Sequence, residues 1–307
     1  SRAAATAEPV PPTAAGPIPG EDRIRRVESR FPGAAGSTLF RRSWRPADPP
    51  SRVVVLGHGF AEHSARYEFV GSWLANRGCA VHAYDQRGHG RSAPRPGRIG
   101  RFEGLLDDLD VFMALVAEQH PDLPRVLLGH SMGGLVVTTH LRERRPDVDS
   151  AVVTGPALSI SPQVSPLQRR LAGVIRGLWP GLRLKVGIAP EGLCRDAEVV
   201  RRYVEDPMVF DRVEAGFVAD MFDVIERTAA GPGDVEVPLM LLHGEADPLC
   251  QAAGSERFHA GLGTSGSQLR IYPRLLHEIL NEPERETVLG DILDWLDSRE
   301  PLADERS

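Results

Sequence analysis

Three residues spread along this 307-residue chain have the types and the order needed for nucleophilic catalysis. Ser131 lies in Gly129-His130-Ser131-Met132-Gly133-Gly134, a G-x-S-x-G pattern between an apolar run and a helical pattern. A serine on a sharp strand-to-helix turn is forced into a strained backbone conformation, and side chains two residues to either side would collide. Gly129 and Gly133 remove those collisions, and Gly134 lets the helix pack close. A serine hydroxyl is a poor nucleophile unless a base takes its proton, and the base needs a third group to hold it. Where such a turn opens the set, the acid follows a late strand and the histidine follows the last one. Asp247, in His243-Gly244-Glu245-Ala246-Asp247-Pro248-Leu249, follows the apolar run 237–243, and His277 follows the run 268–272. Glu245 is the rival acid but sits nearer the strand. His259 falls in a predicted helix and reads as a packing residue, while His130 is expected to support the turn and point away from Ser131.

The turn aims the Met132 amide at the carbonyl oxygen of a substrate. A second oxyanion donor should come from the loop after the first long apolar run, where His58-Gly59-Phe60 makes the Phe60 amide the candidate. Its ring is expected to line an acyl pocket. The glycines and charges of Asp85-Gln86-Arg87-Gly88-His89-Gly90-Arg91-Ser92 read as ties within a loop.

These residues need a frame. Apolar runs at 52–57, 79–84, 125–129, 151–155, 237–243 and 268–272 read as strands, and helical patterns lie near 64–77, 101–119, 133–145, 252–262 and 284–298. The alternation predicts a mostly parallel sheet with helices on both faces, active at the carboxyl ends of its strands. With the nucleophile turn, that is the α/β-hydrolase fold. Residues 157–232, rich in Pro, Gly and Arg, break the rhythm and read as a mostly helical cap inserted between core parts 21–156 and 233–299. Residues 1–20, small residues and prolines without apolar periodicity, read as a disordered tail, and 300–307 as a short C-terminal one.

A formal net charge of -6 gives no reason to expect nucleic acid as a partner. Cys79, Cys194 and Cys250 lie far apart without metal-ligand spacing, so three reduced thiols in a cytoplasmic setting are expected, and neither metal nor organic cofactor is implied. The sequence holds no run of roughly 18 apolar residues, the length a bilayer-spanning helix needs, so none is expected. The chain does not start with Met, so export after removal of a signal stays open.

Several blocks together resemble the monoacylglycerol lipases. His58-Gly59-Phe60-Ala61-Glu62-His63-Ser64-Ala65-Arg66-Tyr67 resembles their H-G-x-G-E-H-x-x-R-Y block. The blocks 85–92, 129–134, 243–249 and 276–283 are similar to theirs and stand in the same order, and Cys194-Arg195-Asp196 and Tyr203-Val204-Glu205-Asp206-Pro207 resemble segments of their caps. The resemblance runs from about residue 36 to 297. It implies hydrolysis of an acyl glycerol to fatty acid and glycerol, with Glu62, Arg66 and Tyr203 in the polar pocket around the glycerol head. It also matches Cys250 to a thiol that some members carry near the site. The chain departs from the pattern at Phe60, usually small, at Ala61, usually Gly, and at Cys194, usually Ser.

In the cap, Leu167, Leu171, Val174, Ile175 and Leu178 recur at helical spacing among arginines. That face suits either transient contact with a membrane surface or packing on the core. The same chemistry would serve a lysophospholipase, a short-chain carboxylesterase or a peptidase, since substrate choice lives in the pocket. A non-catalytic binding protein of this fold is disfavoured by the complete set of catalytic types.

Overall fold

The computed structural model describes residues 24–93, 95–159, 177, 179, 181–186 and 188–299. The tails and the apolar cap residues Leu167, Leu171, Val174, Ile175 and Leu178 lie outside the described residues. The chain opens with an antiparallel hairpin, β1 (Ile24–Pro32) and β2 (Thr38–Pro46). Then follow β3 (Arg52–Gly57), α1 (Glu68–Ala75), β4 (Cys79–Tyr84), α2 (Glu103–Gln119), β5 (Arg125–His130), α3 (Met132–Arg144) and β6 (Ser150–Thr154). After an excursion the sheet resumes with β9 (Leu239–Gly244), α6 (Ala252–Ala260), β10 (Gln268–Tyr272) and α7 (Arg285–Asp297). The strand order is β1-β2-β4-β3-β5-β6-β9-β10, antiparallel through β1, β2 and β4 and parallel from β4 onward.

The strand sequences explain why both faces are covered. Val53, Val55, Leu127, Val153, Leu239 and Leu241 enter one apolar cluster, with Leu105, Leu109 and Phe112 of α2 and Leu135 and Leu141 of α3. Their alternating neighbours Val54, Leu56, Val126, Leu128, Val152, Met240 and Leu242 enter a second, with Val70 and Leu74 of α1 and Val288, Leu289 and Ile292 of α7. Side chains of a strand point alternately to opposite faces, so a run apolar at every position requires a layer on each side.

The hairpin β1–β2 did not stand out in the sequence. Six of its residues are arginines, at 25, 26, 30, 41, 42 and 45, so its apolar signal rests on Ile24, Phe31, Leu39, Phe40 and Trp44, all buried. As an outer pair it has no need to be apolar on both sides.

The excursion carries α4 (Ala197–Glu205), α5 (Ala215–Ala229) and a separate two-stranded antiparallel ribbon of β7 (Arg183–Lys185) with β8 (Arg212–Glu214). Among the described residues it adds no strand to the main sheet. Backbone bonds fasten it to the core: Phe210 N donates to Ala61 O at 3.4 Å, and His277 N and Glu278 N donate to Gly192 O and Leu193 O at 3.3 and 2.7 Å.

Candidate active site

Ser131, Asp247 and His277 lie in loops at the carboxyl ends of β5, β9 and β10, so the parallel sheet collects residues far apart in sequence along one edge. Ser131 itself sits at φ 53°, ψ −115° between β5 and α3. That strain persists because its neighbourhood holds it. A Cβ on Gly129 would stand 2.4 Å from Gly133 O, and one on Gly133 would stand 2.3 Å from Gly57 O. Gly133, the second residue of α3, therefore packs onto β3 with no room for a side chain, and the turn cannot relax.

His277 Nε2 is 2.9 Å from Ser131 Oγ, and His277 Nδ1 is 2.7 Å from Asp247 Oδ2. An ionised carboxylate only accepts, so Nδ1 carries the proton and Nε2 is left to accept from the serine hydroxyl. Burial works against a charged imidazole, but the Asp247 charge and hydrogen bond, with Glu278 and Glu62 farther out, outweigh it and raise the His277 pKa above its ordinary value. For Asp247, burial is outweighed by His277, His243 and the backbone amides, which hold the carboxyl well below the usual range. Glu245 is exposed and its carboxylate accepts from Arg274 N at 3.3 Å, so the rival acid faces away from the histidine.

Two further groups secure the acid, and the sequence reading had not assigned them. His243 Nε2 lies 3.1 Å from Asp247 Oδ2 and 2.9 Å from Cys250 O, both acceptors, while its Nδ1 lies 2.8 Å from Ser255 Oγ. The amides of Leu249 and Cys250 donate to Asp247 Oδ1 at 2.8 and 2.9 Å. Only the spacing of His243 to Asp247 across a tight turn hinted at this.

The loop carrying Phe60 is held from several sides. Gly59 N donates to Glu62 Oε1 at 2.6 Å, Gln86 N donates to His58 Nε2 at 2.9 Å, and Gln86 Nε2 donates to His58 O at 2.7 Å. Asp85 accepts from Ser64 N and Arg91 N, each at 2.8 Å, which bears out a structural role for block 85–92. Ala61 sits at φ 63°, a left-handed conformation that glycine adopts more readily than alanine. Among the described residues the amides of Phe60 and Met132 have no acceptor in the protein. Met132 N–H is one of the orphan donors that every helix start exposes, at the positive end of the helix dipole.

Glu62, Arg66 and Tyr203 converge beside Ser131 in one small cavity, which His130, His277 and Glu278 also line. Glu62 Oε1 accepts from the hydroxyl of Tyr67 at 2.7 Å, and Glu62 Oε2 accepts from Arg66 Nη1. Arg66 also donates through Nη1 and Nη2 to Glu278 Oε1 and Oε2, at 2.6 and 2.8 Å, and lies 4.8 Å from the Tyr203 ring centroid. Tyr203 comes from α4, so the excursion supplies one wall. Burial raises the Glu62 carboxyl, but Arg66, then His130 and His58, outweigh it and draw the pKa down.

His130 differs from expectation in part. Its Nδ1 bonds Thr154 O at 3.0 Å and so supports the turn, yet its ring lines the cavity and lies 4.8 Å from that of His277. The ring of Phe60 stacks on Phe217 at 6.3 Å and meets Phe210 edge-on at 5.6 Å, which joins the loop to the excursion. The three cysteines are free and buried, and burial pushes the Cys250 thiol well above its ordinary pKa. Among the described residues no cluster of three His, Cys, Asp or Glu is placed to hold a metal ion.

A family profile described as "Serine aminopeptidase, S33" matches residues 48–284, more than three quarters of the chain. The chain belongs to this serine hydrolase family. Within it, the chain is 34% identical over 272 residues to a monoacylglycerol lipase of Mycolicibacterium smegmatis, covering 88% of this chain and 97% of that one. It is 28% identical to a Homo sapiens monoglyceride lipase, covering 93% of this chain and 98% of that one. The crystal structure of a Paleococcus ferrophilus monoacylglycerol lipase superposes with a TM-score of 0.76 at 32% identity, covering 85% of this chain and 98% of that one.

Proposed function

We propose that the protein hydrolyses carboxylic esters of lipids, with monoacylglycerol as substrate and fatty acid and glycerol as products. The observation that carries this is the Ser131–His277–Asp247 hydrogen-bond chain opening on a cavity walled by Glu62, Arg66, Glu278 and Tyr203. Such a wall offers acceptors to a polyol. Likeness to lipases named for this substrate supports the same reading.

In the mechanism, His277 Nε2 takes the Ser131 proton as Oγ attacks the ester carbonyl. The amides of Phe60 and Met132 receive the oxyanion, a donor of this kind contributing about 3–4 kcal/mol. Asp247 stabilises the imidazolium. The tetrahedral intermediate collapses, His277 protonates the departing glycerol oxygen, and an acyl-enzyme remains on Ser131. Water, deprotonated by the same imidazole, releases the fatty acid and restores the serine.

A second reading, a short-chain carboxylesterase, draws on the cavity size. The described lining residues leave only a narrow space beside Ser131, well below the roughly 300–1,000 Å³ of pockets for larger ligands. Exposed Trp179 and Leu182 on the excursion support transient contact with a lipid surface, and three free thiols support a reducing compartment. Among the described residues no helix is long and apolar enough to cross a membrane.

The test is a panel of esters and amides of matched acyl length: monoacylglycerol, lysophosphatidylcholine, a methyl ester, a short chromogenic ester and an aminoacyl amide. The expected order places monoacylglycerol first in kcat/KM. A preference for the methyl or short ester would move the assignment to general esterase, and amide cleavage in first place would make it a peptidase.

A further inference from the structure

We propose that Glu278 makes the head-group end of the cavity an anion filter, admitting neutral polyol esters and turning away acyl glycerols whose head bears a phosphate. This rests on the reading of the cavity as the seat of the leaving alcohol.

The charges around the cavity set its sign. Arg66 is the one Lys or Arg among its described lining residues, and it faces two carboxylates, Glu62 and Glu278. All three are buried or nearly so, with side-chain exposures of 9% for Arg66 and 4% for each glutamate. The triad is formally −1. Asp247 adds another negative charge behind His277. His130 brings no compensating cation, because burial and the neighbouring His277 push its pKa down to about 4.

Geometry strengthens the effect. A guanidinium binds phosphate through its planar fork, two parallel N–H groups on two oxygens. In this protein that fork is spent on Glu278, whose two oxygens accept from Nη1 and Nη2, and Asn281 Nδ2 pins the same carboxylate at 2.8 Å. An incoming phosphate would have to displace a fixed carboxylate and then sit beside it. A hydroxyl meets no such obstacle. Each carboxylate oxygen has about two acceptor positions, and among the described residues Glu62 Oε2 and Glu278 Oε1 each accept a single hydrogen bond, both from Arg66. Both can take an O–H donor. With Glu278 neutralised, Arg66 would face one carboxylate and the three-residue set would be neutral.

The measurement is kcat/KM for 1-decanoylglycerol and 1-decanoylglycerol 3-phosphate in the same detergent, for the wild type and Glu278→Gln. The wild type is expected to prefer the neutral ester at least ~100-fold, and the substitution to narrow that ratio at least ~10-fold, since like charges at close quarters in a dry site discriminate strongly. The ratio divides out any common change in His277 basicity. Equal rates in the wild type, or an unchanged ratio in folded Glu278→Gln, would overturn the proposal. Should the variant not fold, competition against a short neutral chromogenic ester in the wild type decides: glycerol is expected to compete and glycerol 3-phosphate not to, and competition by both overturns the filter. A monoacylglycerol no better than its methyl ester would sink the functional reading instead, while the neutral-to-phosphate ratio still judges the filter.

Discussion

Replacing Asp247 with Asn probes the relay through a group that never touches substrate. All four partners of the carboxylate are donors: His277 and His243 on Oδ2, and the amides of Leu249 and Cys250 on Oδ1. An isosteric amide must therefore turn its NH2 against one pair or the other. If it faces the backbone amides, His277 keeps its orientation but loses a full charge. At about 4 Å and an effective dielectric near 20 that charge is worth about 4 kcal/mol to the imidazolium of the transition state, or about 10³ in kcat. If the NH2 faces the histidines, His277 is also forced to the tautomer whose Nε2 carries the proton, and the loss approaches about 10⁴. The pH profile carries a second signature. Only neutral His277 can accept the serine proton, so activity rises with pH through its pKa, which the Asp247 charge holds above the ordinary value of about 6.5. The acid limb of kcat/KM is therefore expected above that value in the wild type and below it in Asp247→Asn. The assay is steady-state hydrolysis of a soluble ester across about pH 5–10, with circular dichroism to show the variant folded. A folded variant losing less than about tenfold in kcat, or an unmoved acid limb, would refute the relay as drawn.

Gly133→Ala places a methyl 2.3 Å from Gly57 O, and is expected to cost about 1–3 kcal/mol by thermal melting and to abolish most turnover. His243→Ala removes one donor to Asp247 Oδ2; a bond to a charged group is worth about 1.5–3 kcal/mol, so kcat should fall about tenfold or more with KM little changed. Arg66→Leu leaves Glu62 and Glu278 buried without their cation, at an expected cost of about 3–5 kcal/mol near pH 8. That deficit should shrink on acidification, because Glu62, drawn down by Arg66 in the wild type, is left to the raising effect of burial and its protonation relieves part of the unpaired charge. A melting deficit independent of pH would speak against it.

Much of this fold was legible because its parallel strands are apolar at every position, a pattern that demands cover on both faces. The six apolar runs became β3, β4, β5, β6, β9 and β10, with ends shifted by two residues at most. The hairpin β1–β2 escaped notice because its arginines hide the alternation, and the ribbon β7–β8 because three-residue strands leave no period to read. Ser131, Asp247 and His277 were legible for a different reason. Each follows a recognisable strand, and their order along the chain limits the choices. Glu278 was not legible in that way: a glutamate after the histidine acquires meaning only when Arg66, 212 positions earlier, is seen to grip it. His130 shows the converse, since its bond to Thr154 turns one edge of the ring outward while its face still meets His277.

The most direct test of the central claim is turnover of a long-chain monoacylglycerol by the wild type beside Ser131→Ala, with both proteins checked for folding. Rapid release of fatty acid and glycerol that disappears in the variant is the expected result. Equal turnover by both proteins, or none by the wild type, would contradict it.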